Sequence, residues 1–102
     1  MNKYHNVPVL IDGIKFDSQK EGRYYAELKL RRQAGEVVRF EMQVPFQISI
    51  NDKKVCKYYA DFVEYWRDGS RHVVDVKGRK TAVYQLKKKL VRACFGIEIE
   101  EK

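Results

Sequence analysis

Val55-Cys56-Lys57-Tyr58-Tyr59-Ala60-Asp61-Phe62-Val63-Glu64-Tyr65-Trp66, then Arg67-Asp68-Gly69-Ser70, then Arg71-His72-Val73-Val74-Asp75-Val76-Lys77: two β-branched and aromatic runs flank a polar, glycine-bearing gap. The pattern predicts an antiparallel hairpin with strands over 55–66 and 71–77. Asp61 interrupts the apolar residues of the first run and Asp75 those of the second. A mid-strand carboxylate is costly to bury unless it is paired or binds a metal. Asp75 and Lys77 are two apart, so they project from one face of the strand. Loop length decides whether the two aspartates meet. A two-residue loop at Asp68-Gly69 sets Asp61 opposite Val76 and sends the carboxylates to opposite faces. A three-residue loop, Arg67-Asp68-Gly69 with Gly69 left-handed, pairs Trp66 with Ser70 and sets Asp61 opposite Asp75. The sequence leaves both registers open, and a shared cation site requires the second, or a bulge with the same effect.

Upstream, Val9-Leu10-Ile11 and Ile14-Lys15-Phe16 flank Asp12-Gly13, a hairpin with a primed turn. Ser18 and Glu21 have capping-box spacing, predicting a helix over 19–33 with Tyr24, Tyr25 and Leu28 inward and Gly35 beyond its end. A capping Glu needs only the Ser18 amide, yet Glu21 also lies on the Tyr25–Leu28 stripe that should face a sheet. Extended runs follow over 37–42 and 44–50, with Pro45 marking an edge or a break. Downstream, a second helix is expected over 80–94, burying Val83, Leu86, Leu90 and Cys94. Gly96 then leads to a last strand over 97–99. The order is hairpin-α-βββ-α-β: a central mixed β-sheet flanked by helices, in one domain over 1–102.

The 102 residues carry 21 Lys+Arg against 14 Asp+Glu, a formal +7. The stretch between Val76 and Ile97 holds seven basic residues and no acid, equal to the whole net charge. Such a concentration suits a polyanion, most often nucleic acid, or else a solvated helix face. No apolar run approaches a membrane span and Met1–Tyr4 does not read as a secretory signal, so no membrane association is expected. Cys56 and Cys94 lack zinc-site spacing and read as small buried hydrophobes in a reducing cytoplasm. Whether Tyr58, Tyr59 or Trp66 stacks on bases or fills the core is open at this stage.

Glu21 on the first helix, Asp61 on one strand, Asp75-Val76-Lys77 on the next and a basic helix behind them resemble the PD-(D/E)XK nuclease superfamily. The likeness is to small phage-type members related to Holliday-junction-resolving endonucleases. It rests on Gly13-Ile14-Lys15-Phe16-Asp17-Ser18-x-x-Glu21, Tyr58-Tyr59-Ala60-Asp61-Phe62 and Asp75-Val76-Lys77-Gly78, and runs from about residue 4 to 99. Ala60 replaces the namesake Pro, and Asp75 stands where Glu is frequent.

The resemblance implies an α/β restriction-endonuclease-like fold and a Mg²⁺-dependent endonuclease, with Mn²⁺ as a substitute. Asp61, Asp75 and the Val76 backbone carbonyl would hold the metal, with Glu21 directly or through water. Glu21, Asp61, Asp75 and Lys77 form the implied catalytic set, Lys77 orienting the attacking water. Arg79, Lys80, Lys87, Lys88 and Arg92 would grip DNA, with Lys80 and Lys87 nearer the cleft and Lys88 and Arg92 further out. The expected partner is branched DNA such as a four-way junction. Two symmetric nicks call for a homodimer, in the host cell cytoplasm if the chain is phage-encoded. The competing expectations are a nicking or sequence-specific endonuclease of the same fold, and a non-catalytic nucleic-acid-binding module.

Overall fold

A computed structural model describes residues 7–76 and 80–102. Val9–Ile11 (β1) pairs with Ile14–Phe16 (β2). Asp12 and Gly13 both take positive φ, 53° and 74°, as a primed turn requires. Helix α1 (Gln19–Gln33) has the predicted span, and Ser18 Oγ accepts the Glu21 N–H at 3.2 Å. Tyr24, Tyr25 and Leu28 are buried as expected. Gly22 sits where the hairpin crosses the helix. A Cβ there would stand 2.7 Å from Val9 Cγ2 and 3.0 Å from Ile11 Cδ1, so the bare backbone lets β1 lie against α1.

The main sheet runs β3 (Val37–Ile50), β4 (Lys53–Trp66), β5 (Arg71–Asp75) and β6 (Ile99–Glu101) in that order. β6 is parallel to β5, with Val73 opposite Ile99, and α2 (Ala82–Phe95) supplies the crossover that parallel strands need. The runs predicted over 37–42 and 44–50 are one strand. β3 is the sheet edge, where Pro45 removes no ladder bond. The other spans differ at their ends. The strand predicted over 55–66 begins at Lys53, and the one over 71–77 ends at Asp75 within the described residues. The second helix starts at Ala82, because Thr81 Oγ1 caps it by accepting the Tyr84 N–H at 3.1 Å. The last strand, predicted over 97–99, is Ile99–Glu101.

The β4–β5 connection has the three-residue form. Trp66 N–H donates to the Ser70 carbonyl at 2.9 Å, Gly69 N–H donates to the Trp66 carbonyl at 3.0 Å, and Gly69 has φ 89°. Pairing continues through Tyr65↔Arg71, Glu64↔His72, Val63↔Val73 and Phe62↔Val74. The ladder ends at Phe62↔Val74, and Asp61 and Asp75 are the next residues on their two strands.

Two cores flank the sheet. One gathers Phe16, Tyr25, Leu28, Phe62 and Val74 beneath α1, with Phe40 and Met42 against it. The other gathers Ile48, Tyr58, Ala60, Val63, Tyr84 and Val91 beneath α2, with Val44 and Phe46 against it. Side chains of one parity should stay on one face of a strand. Yet Phe40 and Met42 serve the α1 core while Val44 and Phe46 serve the α2 core, and Ala60 and Phe62 divide the same way. The alternation slips at Gln43 on β3, which has φ 52°, and opposite it at Asp61 on β4.

The buried face of α2 differs from the expected one. Tyr84 and Val91 are its buried residues and Leu90 is partly packed. Val83 is 63% exposed, Leu86 58%, and Cys94 is also exposed. Cys56 is half-buried. The helix carries two apolar stripes, and the sheet receives the one led by Tyr84, whose hydroxyl donates to Glu101 on β6 at 2.7 Å. Among the described residues no helix is long and apolar enough to cross a membrane.

Candidate active site

The long β4 strand and the short β5 strand bring Asp61 and Asp75 together in a buried setting. Asp61 Oδ2 accepts the Val76 N–H at 2.8 Å, and its Oδ1 accepts Gln43 Nε2 at 3.1 Å. Asp75 Oδ2 accepts the Tyr58 hydroxyl at 2.5 Å, and its backbone carbonyl accepts the Lys102 N–H at 3.0 Å. The two carboxyl groups are close enough to share a hydrogen bond, so they cannot both be ionised without repulsion. Burial raises the Asp61 pKa first, then the hydrogen bond and charge of Asp75. The Val76 amide opposes them, and the value reaches about 7. Tyr58 is pushed well above the usual phenol range by burial and by its bond to Asp75.

Asp61 opens onto a cleft of about 290 Å³ lined also by Lys15, Asp17, Glu21, Met42 and Gln43. Glu21 reaches this cleft from the first turn of α1, half-buried, and its charge further disfavours ionisation of Asp61. The structure therefore places Glu21, Asp61 and Asp75 around one locus, with Val76 beside Asp61. Lys77 lies outside the described residues, as does Arg79. Among the described residues, no three His, Cys, Asp or Glu side chains form a group that could hold a metal ion.

Sequence reading missed four neighbours of this locus. Lys15 and Asp17 lie in the stretch before α1 and carried a visible signal, charged residues flanking a buried Phe16. Tyr58 stands three residues before Asp61, and while its ring fills the α2 core its hydroxyl reaches Asp75. Gln43 had no signal, because its position depends on a left-handed backbone that glutamine seldom adopts.

The basic helix is less free than its composition suggests. Lys80 Nζ and Lys88 Nζ both contact Glu101 Oε1, at 3.0 and 3.2 Å, and Arg92 Nε contacts Glu98 Oε1 at 2.9 Å. The Tyr84 hydroxyl, then Lys80 and Lys88, hold the Glu101 carboxyl down at about 2. Lys88 is half-buried beside the strand instead of pointing further out than Lys87, which is half-buried too. Lys80 and Lys88 share one carboxylate, so the expected division between them does not hold. Arg92 is exposed as expected.

A third buried carboxylate, Glu64 on β4, is fully enclosed and belongs to the scaffold. It accepts the Tyr24 hydroxyl, Trp66 Nε1 at 2.9 Å and Arg31 Nη1 at 3.4 Å. These donors satisfy it from α1 and from its own strand, in contrast to the Asp61–Asp75 pair, whose carboxylates face each other.

The chain belongs to the DUF1064 family, described as a protein of unknown function, whose family model it matches over residues 1–99. No curated protein and no solved structure matches it.

Proposed function

We propose that this DUF1064 chain is a Mg²⁺-dependent, structure-selective DNA endonuclease of the Holliday-junction-resolving type, with a restriction-endonuclease-like fold. The observation that carries the reading is the Asp61–Asp75 pair, two carboxyl groups set face to face by a three-residue loop. The donor set suits a hard divalent cation: buried carboxylate oxygens held by an amide, a glutamine and a tyrosine. The Glu64 site, by comparison, already has Arg31.

Asp61 and Asp75 would hold Mg²⁺, or Mn²⁺ in its place, with the Val76 carbonyl beside them and Glu21 reached across the cleft through water. Bound there, such an ion supplies polarisation of a phosphate oxygen and a lowered pKa for a water ligand. The protein's own groups do the positioning. The Val76 amide and Gln43 fix the Asp61 carboxyl from two sides, and Tyr58 fixes Asp75. Lys77 follows directly from this strand, and in this reading it orients the attacking water and offsets charge on the transition state. Arg79, Lys80, Lys87, Lys88 and Arg92 flank the substrate, with Lys80, Lys88 and Arg92 exchanging carboxylate partners for phosphates.

A cytoplasmic homodimer, in the host cell if the chain is phage-encoded, is part of the reading, because two symmetric nicks need two sites. The exposed Val83 and Leu86 of α2 support it as an apolar surface on the element behind the site. The test is a panel of four-way junction, flap, splayed arm and linear duplex, run with Mg²⁺, with EDTA and with Asp75→Asn. Mg²⁺-dependent cleavage that favours the junction and vanishes in Asp75→Asn is the expected result. Cleavage surviving in that variant refutes the site. Equal rates on junction and linear duplex remove the resolving specificity and leave a nicking or sequence-specific enzyme. DNA binding without cleavage leaves a nucleic-acid-binding module.

A further inference from the structure

The aromatic and basic residues around the site divide sharply by whether the fold already uses them. Tyr58 is buried and bonded to Asp75. Trp66 stacks on His72 at 3.6 Å between ring centroids and donates to Glu64. Tyr65 lies under the Arg39 guanidinium, 3.7 Å from the ring centroid, and donates to Glu41. Tyr59 is different: it is 51% exposed and makes no side-chain hydrogen bond or ring contact with any described residue. The lysines divide likewise. Lys80 and Lys88 are paired to Glu101, whereas Lys54 and Lys57 are exposed and make no ion pair with a described residue.

Tyr59, Lys57 and Lys54 lie on β4, on the length that leads away from Asp61 towards the β3–β4 turn. Among the described residues this half of the ribbon pairs only with β3, since β5 covers β4 from Phe62 to Tyr65. Its inward residues, Tyr58 and Ala60, are taken by the α2 core, which leaves Tyr59 and Lys57 outward. Pro45 and Gln47 stand opposite them on β3, so no acid faces either residue across the ribbon. At about 3.4 Å per residue, Tyr59 lies roughly 7 Å and Lys57 roughly 14 Å from Asp61 along the strand. A strand in duplex DNA advances about 3.4 Å per nucleotide and an unpaired strand can stretch further, so these distances are at most about two and four nucleotide steps.

We infer that the outward face of β4 is a track for one unpaired DNA strand, on which Tyr59 stacks a base and Lys57 and Lys54 hold phosphates while the phosphodiester lies at Asp61 and Asp75. This rests on the nuclease reading and adds a substrate requirement to it. An exposed ring two steps from the carboxylates is useful only for a base that has left its partner, so the substrate must offer unpaired nucleotides beside the cut. Flaps and splayed arms do so, a four-way junction does so once a pair at its branch opens, and intact linear duplex does not. Stacking is also indifferent to base identity, because every base has a π-face.

The test uses the full chain in EDTA, so that binding is read without cleavage, and a four-way junction carrying 2-aminopurine at the branch. Wild type and Tyr59→Phe quench the fluorescence. Tyr59→Ala does not quench it and binds the junction roughly 5- to 150-fold more weakly, the range for loss of one stacked base, with linear duplex affinity unchanged. Lys57→Ala weakens binding to all DNAs and lowers the slope of log affinity against log salt by about 1. Melting temperatures within a degree of wild type exclude a folding effect at these exposed positions. If wild type cleaves junctions but Tyr59→Ala binds and quenches as wild type does, the track is refuted and the nuclease reading stands. If the quench depends on Tyr59 but no metal-dependent cleavage occurs, the nuclease reading fails and the track stands.

Discussion

Replacing Asp75 with Asn separates the energetics of the candidate site from any activity assay. The Asp61 carboxyl rises from 3.8 to about 7 in the folded chain. A carboxyl raised on folding binds its proton more tightly in the native state. Its contribution is therefore fully present below the unfolded value and is lost progressively as pH rises from about 4 through 7. Three units at 1.36 kcal/mol each set an upper bound of about 4 kcal/mol against the folded state at alkaline pH. Burial is the largest cause and survives the substitution, while the hydrogen bond and charge of Asp75 do not. Asp75→Asn should thus be more stable than wild type at pH 8 by about 1–2 kcal/mol. For a chain of this length that is a rise of roughly 5–15 °C in melting temperature. Near pH 4 the two proteins should melt together. The assay is thermal unfolding in EDTA across this pH range, repeated with millimolar Mg²⁺. Mg²⁺ should recover the wild type at pH 8 and leave the variant unmoved. A variant that melts below wild type at pH 8, or a difference that does not change with pH, refutes the repulsive pair.

Glu64→Ala leaves Tyr24, Trp66 and Arg31 without their buried acceptor and should cost about 3 kcal/mol by urea unfolding, with cleavage intact at low temperature in the protein that remains folded. Gly22→Ala adds a methyl where Val9 Cγ2 already stands 2.7 Å away; despite the roughly 1 kcal/mol gain in helix propensity, a net loss of about 1–2 kcal/mol is expected from the displaced hairpin. Leu86→Glu on the exposed stripe of α2 should convert a dimer to a monomer by light scattering while leaving the melting temperature of the monomer within about 2 °C, and an unchanged dimer moves the interface off α2.

Local chemistry was legible where one residue type forces one conformation. Asp12-Gly13, Ser18 with Glu21, Gly69 and Gly96 each marked a turn or a helix end that the structure keeps. The three-residue loop followed from that vocabulary as one of two registers, and only the folded hairpin chose between them. Two things were out of reach. On α2, periodicity reveals an apolar stripe but not which stripe a sheet will accept. The choice fell to Tyr84, because its ring fills the core while its hydroxyl reaches Glu101. The second was the left-handed Gln43, whose backbone is set by the two cores pulling opposite ways on one strand. Charge was half legible: the basic run of α2 was plain in the sequence, but the glutamates that pair with it, Glu98 and Glu101, lie just before β6 and on it.

The slip in side-chain alternation at Gln43 and Asp61 gives this small chain a mechanical joint. One end of the long β3–β4 ribbon is anchored under α1 and the other under α2, and Asp61 is the pivot between them. Repacking either core turns one arm against the other and moves the same carboxylate. Under the proposed reading, a strand of DNA drawn along β4 would load the ribbon tip, and β4 runs from there to Asp61 with no loop in between. The Asp61–Asp75 spacing is in this sense a strain gauge for the whole fold, which ties how tightly the ribbon is held to how well the two carboxylates align.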